Sequence, residues 1–440
     1  MPVAWLEFVH MAGLLPVETI KRWGLKGGMA ILDQGIFSGS NFILNILLAR
    51  WLLPEQYGAY AVGLSVSVLF LQLLMSYIME PMGVLGPSHF GSNLKSYLLA
   101  QLRLYLVAII AIGLLFAAAA YVYGRLESRS LVGPVLTALG LLLAVILLPW
   151  IMRRVFYVLQ RPAVAVLGSI IYALSLISSV LVMRQQNVLS GLTSVFTVAL
   201  AGLCSGFFLF IQLRPRQISA GGISLDTLHR DNWTFGRWLV LSSILVVIAA
   251  QSQIYIAGSV LGLQASGVLY ALQTLSQPMT LTVTAITALM TPSLAADYAR
   301  GDIRSFKRKA FSMTFALTGL ALLFELFLIW FNLPLEQIVY GGRFSAEAGL
   351  IPIWGLSPLI TSLVSGMQSS LQAAKYSYSL LIASIFWLPA SLGSCLLLID
   401  GWGLEGVAWS TVLGYVVMAL VLTFLYRVWL RGNAPVTVQI

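Results

Sequence analysis

Charged side chains are scarce in this sequence. Asp, Glu, Lys and Arg together make up 9% of 440 residues, where a soluble chain of that size carries about a quarter. So few charges cannot cover the surface of a water-soluble fold, and a hydrophobic share of 59% excludes disorder. Cysteine is nearly absent: Cys204 and Cys395 each lie in an apolar run, which rules out a disulfide framework or a thiolate metal site. The three histidines, His10, His89 and His229, fall outside the apolar runs and share no motif. With no His-Glu pair at zinc spacing and no Gly-Lys-Ser phosphate loop, the chain carries no metal centre, no built-in ATPase and no catalytic residue that the sequence identifies. No cofactor is expected.

What is there is apolar sequence. Runs long enough to span a bilayer occur at 28–49, 58–79, 97–123, 132–152, 163–183, 189–211, 236–260, 266–291, 309–331, 349–372, 377–399 and 402–428. The expected fold is therefore all-α and polytopic, with about twelve transmembrane helices. Residues 1–27 are mixed, unlike a cleavable leader. The longest internal connection, 212–235, holds Asp226, His229, Arg230, Asp231 and Trp233, and reads as a cytoplasmic linker or interfacial helix.

The basic residues test the count. With the N-terminus in the cytoplasm, nineteen of the twenty-five Lys and Arg residues fall in cytoplasmic segments and five on the opposite side; Arg103 lies inside the third span. A missed span would have swapped the later loops and erased that bias, so both termini are expected in the cytoplasm, as in a bacterial-type inner (plasma) membrane protein. The net charge of +10 is spread over short connections and not gathered on a water-facing domain, which argues against nucleic acid as a partner.

The linker divides the spans six and six. Leu48–Ala61, LARWLLPEQYGAYA, aligns at a shift of 209 with residues 257–270, AGSVLGLQASGVLY, placing Gly58 opposite Gly267. Leu189–Leu192 aligns with Leu404–Val407 at a shift of 215. Two pseudo-symmetric six-helix bundles in parallel orientation around a central cavity follow, which is transporter architecture. The domains are then 1–27 (N-terminal segment), 28–211 (first lobe), 212–235 (linker), 236–428 (second lobe) and 429–440 (tail).

Polar residues at helical spacing mark faces turned away from lipid. The first span carries Asp33, Asn41 and Asn45; the second Ser65, Gln72 and Ser76; the eighth Gln273, Gln277, Thr280, Thr284, Thr287 and Thr291; the tenth Thr361, Ser365, Gln368 and Gln372. Any one Ser or Thr is better read as interhelical glue; whole stripes point to a shared aqueous cavity. Gln251 and Gln253, in the seventh span, cannot both face one direction. Amides and hydroxyls suit sugar hydroxyls, offering donors and acceptors without fixed charge. Three ionisable groups lie within spans. Asp33 either binds a coupling proton or sodium ion or pairs with Arg153 or Arg154. Arg103 either meets a phosphate or snorkels to the surface. Glu325 is either proton-linked or half of a buried pair.

The stretch Asp33–Val62, with Ala49, Arg50, Leu52, Glu55, Tyr57 and Gly58 at the turn between its two spans, resembles the polysaccharide-exporter branch (Wzx-type flippases) of the multidrug/oligosaccharidyl-lipid/polysaccharide (MOP) superfamily. Arg154–Pro162, RVFYVLQRP, and Gly403–Trp409, GLEGVAW, are similar to that branch's loop after the fourth span and its entry to the last. The resemblance implies a MATE-like pair of bundles working by alternating access. It implies as cargo a polyprenyl-diphosphate-linked oligosaccharide, with membrane lipids and glycan polymerase or export machinery as partners. Arg103, Arg153, Arg154 and Lys375 are the candidates for the diphosphate. A cation-coupled drug or metabolite antiporter of the same fold, and more remotely a membrane polysaccharide polymerase, are the competing readings.

Overall fold

The computed structural model describes residues 17–90, 93–127, 130–213, 224–374, 376 and 378–432. Among these residues every regular element is helical. In a bilayer only intra-segment hydrogen bonding satisfies a lipid-exposed backbone, so long apolar runs of this kind become helices. Among the described residues, ten helices are long and apolar enough to cross a membrane, and the chain is a multi-pass membrane protein.

The helices are α1 (Val17–Trp51), α2 (Pro54–Leu74), α3 (Glu80–His89), α4 (Leu94–Leu126), α5 (Val132–Ile146), α6 (Leu148–Val158), α7 (Pro162–Gln185), α8 (Gly191–Leu213), α9 (Leu225–Val260), α10 (Leu263–Thr274), α11 (Gln277–Ala299), α12 (Ile303–Tyr340), α13 (Ile351–Ala373) and α14 (Tyr378–Gly432). A π-helical turn, Met75–Met79, joins α2 to α3 ahead of Pro81, so that all three make one span. The linker expected at 212–235 proves helical from Leu225 onward and runs without a break into the seventh span.

Two features reconcile ten long helices with about twelve spans. First, α14 is interrupted at Gly403, whose φ of 54° and ψ of −131° lie outside the helical region and favour glycine. Beyond that point the chain doubles back: Gly406 lies against the Leu398 carbonyl, and Trp387 faces Tyr415 with ring centroids 5.1 Å apart. Partners converge in number toward the bend, so α14 is two antiparallel spans. Second, the eighth span is split between α10 and α11 at Leu275–Ser276, just ahead of Pro278. Proline has no N–H for the Thr274 carbonyl, and its ring crowds that carbonyl.

The chain divides into two compact units, residues 1–44 with 74–237, and residues 45–73 with 238–440. In the first, α4 packs on α5 and α7 on α8. In the second, α13 packs on α12 and on α14. The second unit also contains the two glycines matched across the internal repeat. A Cβ on Gly58 would lie 1.8 Å from the Leu263 carbonyl oxygen, and one on Gly267 would lie 2.8 Å from the Pro54 carbonyl oxygen and 3.1 Å from the Gly58 nitrogen. Since 54 and 263 are also repeat-equivalent, each glycine touches the counterpart of what the other touches. That reciprocity is the mark of a local two-fold contact, and only glycine lets the backbones approach so closely.

Candidate functional site

Two buried polar sites stand out, one in each unit. In the first unit the α1 carboxylate Asp33 is fully buried. Arg153 on α6 donates to it through Nε (3.0 Å to Oδ2, 3.2 Å to Oδ1) and through a terminal nitrogen (2.6 Å to Oδ2). Ser169 on α7 donates to Oδ1 at 2.5 Å, and the Tyr157 hydroxyl donates to Oδ2. The guanidinium also reaches Gln34 Oε1 at 3.1 Å and lies 4.1 Å over the Phe37 ring. Each lone pair and each charge is met. This is the condition under which a buried ion pair repays its desolvation. Of the two partners considered for Asp33, the fold brings Arg153. Arg154 points elsewhere, to Glu80 (3.3 Å) and the Met79 carbonyl, because neighbours on a helix face about 100° apart.

Asn41, two turns along from Asp33, accepts from the Tyr172 hydroxyl at 3.0 Å and donates to the Phe37 carbonyl at 2.8 Å. The first-span stripe in this unit is thus already hydrogen-bonded within the protein. Asn45 is buried and Gln72 half-buried in the second unit.

The second site is a cavity of about 200 Å³ inside the second unit. Gln273, Ser276, Gln277 and Thr280 enter it from the break between α10 and α11; Trp354, Ser357 and Pro358 from α13; Thr411 and Tyr415 from α14. Ser65 and Val68 of α2, Gln251 of α9 and Tyr270 of α10 complete the wall, in which no charged side chain occurs among the described residues. Two groups on it lack hydrogen-bond partners although buried: Trp354 Nε1 and Ser357 Oγ. Backbone irregularity frames it on both sides, since Pro358 releases the Trp354 carbonyl as Pro278 releases that of Thr274. Within a bilayer such irregularity is tolerated where it lines a cavity.

The expected stripe is only partly in this wall. Gln273, Gln277 and Thr280 line it; Thr284 is exposed, and its hydroxyl returns to the Thr280 carbonyl at 2.9 Å. Thr287 and Thr291 bond back in the same way, at 2.9 and 2.7 Å, as hydroxyls mid-helix commonly do. Gln368 and Gln372 lie further along α13 and do not border the cavity. Gln251 and Gln253 part company as their spacing requires: Gln251 faces the cavity, while Gln253 donates to Ser391 and accepts from Thr411, each at 2.8 Å. Trp354, Ser357, Tyr270 and Tyr415 were not singled out from the sequence. The signal available there was the prolines at 278 and 358, each within an apolar span.

The remaining candidates are scattered. Arg103 is exposed on α4. Lys375 lies outside the described residues. Glu325 on α12 is 3% exposed, packs against Gly355, and has one carboxylate oxygen without a partner.

No family model and no curated protein matches this chain by sequence. Solved structures do. An inward-facing multidrug-resistance MATE transporter of the MOP superfamily superposes with a TM-score of 0.78 at 14% identity, over 92% of this chain and 98% of the other. An outward-facing MATE transporter of the same superfamily gives 0.63 at 13% identity, over 94% and 95%. A MATE structure in complex with MaD3S gives 0.65 at 14% identity, over 94% and 96%. The fold is that of the MATE transporters. The likeness extends over nearly the whole of each chain. At such identities the likeness establishes the fold alone, and the work of this MATE-like chain must be argued from its own side chains.

Proposed function

We propose that this chain is a membrane exporter that turns a polyprenyl-diphosphate-linked oligosaccharide from one leaflet to the other by alternating access, for polysaccharide assembly. The supporting observation is that Asp33, the one carboxylate on the first-span stripe, is consumed by Arg153, Tyr157 and Ser169. An organic cation leaving water for a buried site needs an available carboxylate to offset its desolvation, and here that group is engaged. What the two polar sites leave for cargo is neutral amides, hydroxyls and aromatic rings, the chemistry of glycan recognition. Arg103, Arg154 and Lys375 are the basic groups for the diphosphate, Arg153 being committed to Asp33. In this reading the membrane is an inner membrane, both termini are cytoplasmic, and glycan polymerase or export machinery takes the product.

A second reading, a cation-coupled drug or metabolite antiporter, draws on Glu325. A buried carboxylate with an unpartnered oxygen is the kind of group that takes up a proton or sodium ion, and it would serve equally to couple glycolipid export. The deciding experiment uses the purified protein in proteoliposomes. Fluorescent glycolipid should become accessible to an added quencher in a protein-dependent manner, with no uptake of tetraphenylphosphonium. Cation uptake without glycolipid movement would overturn the proposal in favour of the antiporter.

A further inference from the structure

The cavity of the second unit has a chemistry specific enough to assign. We propose that it is a subsite for one uncharged sugar ring of the cargo, an inference that rests on the exporter reading above. Four observations carry it.

The wall is neutral. A diphosphate calls for Arg or Lys, and neither occurs among the described residues of the wall, so the charged end of a glycolipid belongs elsewhere. The wall is also amphipathic in the way a pyranose is. A sugar ring has an apolar C–H face and a rim of hydroxyls; Trp354, Tyr270 and Tyr415 supply flat apolar surface, and Gln251, Gln273 and Gln277 supply amides that donate and accept.

Hydrogen-bonding capacity is held in reserve. Trp354 is 2% exposed, yet its Nε1 has no acceptor, and the buried Ser357 hydroxyl one turn on has no partner. Buried polar groups are nearly always paired, and two unpaired ones on the same cavity wall fit a ligand that brings its own hydroxyls. Last, the size sets a limit. About 200 Å³ is the liquid volume of roughly seven waters at about 30 Å³ each, which suits one ring and not an oligosaccharide.

The test uses full-length protein in lipid nanodiscs and three probes: a short-chain polyprenyl diphosphate carrying one N-acetylhexosamine or hexose, the same lipid diphosphate without sugar, and tetraphenylphosphonium. The wild type should bind a sugar-bearing lipid more tightly than the bare one. Trp354→Phe keeps the ring and removes the donor; Gln273→Ala removes an amide. Each should lower that preference by about tenfold, the order expected for one good hydrogen bond, and leave affinity for the bare lipid diphosphate unchanged. Should Trp354→Phe fail to fold, Ser357→Ala tests the same wall with a smaller packing change. An unaltered preference in folded variants overturns the sugar subsite while leaving export standing. A wild type that binds neither lipid overturns the exporter reading itself. Tetraphenylphosphonium binding that falls with Trp354→Phe would make the cavity a cation–π site and overturn both.

Discussion

In the first unit, three side chains converge on one carboxylate; in the second, a larger set converges on a cavity. Both sites sit within apolar helices, and both carry polar atoms that lipid cannot satisfy. Around Asp33 the protein supplies every partner from its own helices. Around Trp354 and Ser357 it stops short, although Thr411 on the same wall is paired within the protein, to Gln253. A charge in a bilayer must be neutralised at once, because an unpaired ion costs several kcal/mol. Neutral donors and acceptors tolerate incomplete pairing at a smaller cost, which makes them suitable for binding and releasing a ligand. At these two sites the charge is spent on holding helices together, while the unpaired neutral groups are the ones available to a ligand.

Breaking the pair tests the constructional half most severely. Asp33→Ala leaves the Arg153 guanidinium buried without its counter-charge, and should destabilise the fold by roughly 3–5 kcal/mol. Thermal unfolding in detergent should show it as a large drop or a failure to recover folded protein. Replacing both partners with neutral residues, Asp33→Asn with Arg153→Gln, should restore most of the loss. If the single change leaves unfolding untouched but abolishes gradient-driven transport, the cluster is a coupling site and the contrast fails.

A smaller effect is expected where packing and not charge is at stake. Gly58→Val and Gly267→Val each force a Cβ into backbone and should cost about 1–3 kcal/mol by overpacking. Both should lose stability, Gly58→Val more than Gly267→Val, since the added Cβ would lie 1.8 Å from backbone oxygen at the first and 2.8 Å at the second. A large loss at Gly58 with none at Gly267 would show that the local two-fold arrangement is not what holds these ends together.

The smallest effect concerns a charge at a helix end. Asp297 on α11 is buried but accepts from Lys309 (2.7 Å), Arg300 and Ser305 (2.8 Å). Burial pushes its carboxyl upward, and the hydrogen bonds from Lys309, Ser305 and Arg300 together outweigh that and hold it below the usual carboxylate range. Its stabilisation is therefore complete above the unfolded value near 3.8 and fades as pH falls through the lower folded value. Unfolding followed from pH 6 downward should show a shallower acid limb in Asp297→Asn. An unchanged limb would mean that its partly exposed partners contribute nothing to the pairing.

Much of the architecture was legible beforehand because solvent writes it into composition. Lipid demands about 20 apolar residues per crossing, so the all-helical, multi-span layout follows from the apolar runs alone. The match of Gly58 to Gly267 was visible as a pattern; that the two glycines touch was not, since alignment carries no distance. Asp33 was identifiable as costly, and Arg153 as one of two answers, but neighbouring arginines on one helix diverge, and only helix rotation selects between them.

The cavity was the least legible feature. Periodicity placed Gln273, Gln277, Thr280 and Thr284 on one stripe as if the eighth span were a continuous helix. Pro278 breaks that helix, and Thr284 falls outside the cavity beyond the break. Trp354 and Tyr415 read in sequence as ordinary apolar-span aromatics, because whether an indole N–H finds an acceptor depends on atoms brought in from other helices. Thus sequence by itself determined the solvent, the spans and which residues could not be left to lipid. Tertiary structure alone decided which of those residues satisfy one another and which are left facing a cavity, because hydrogen bonding is set within a few tenths of an ångström and periodicity conveys only direction.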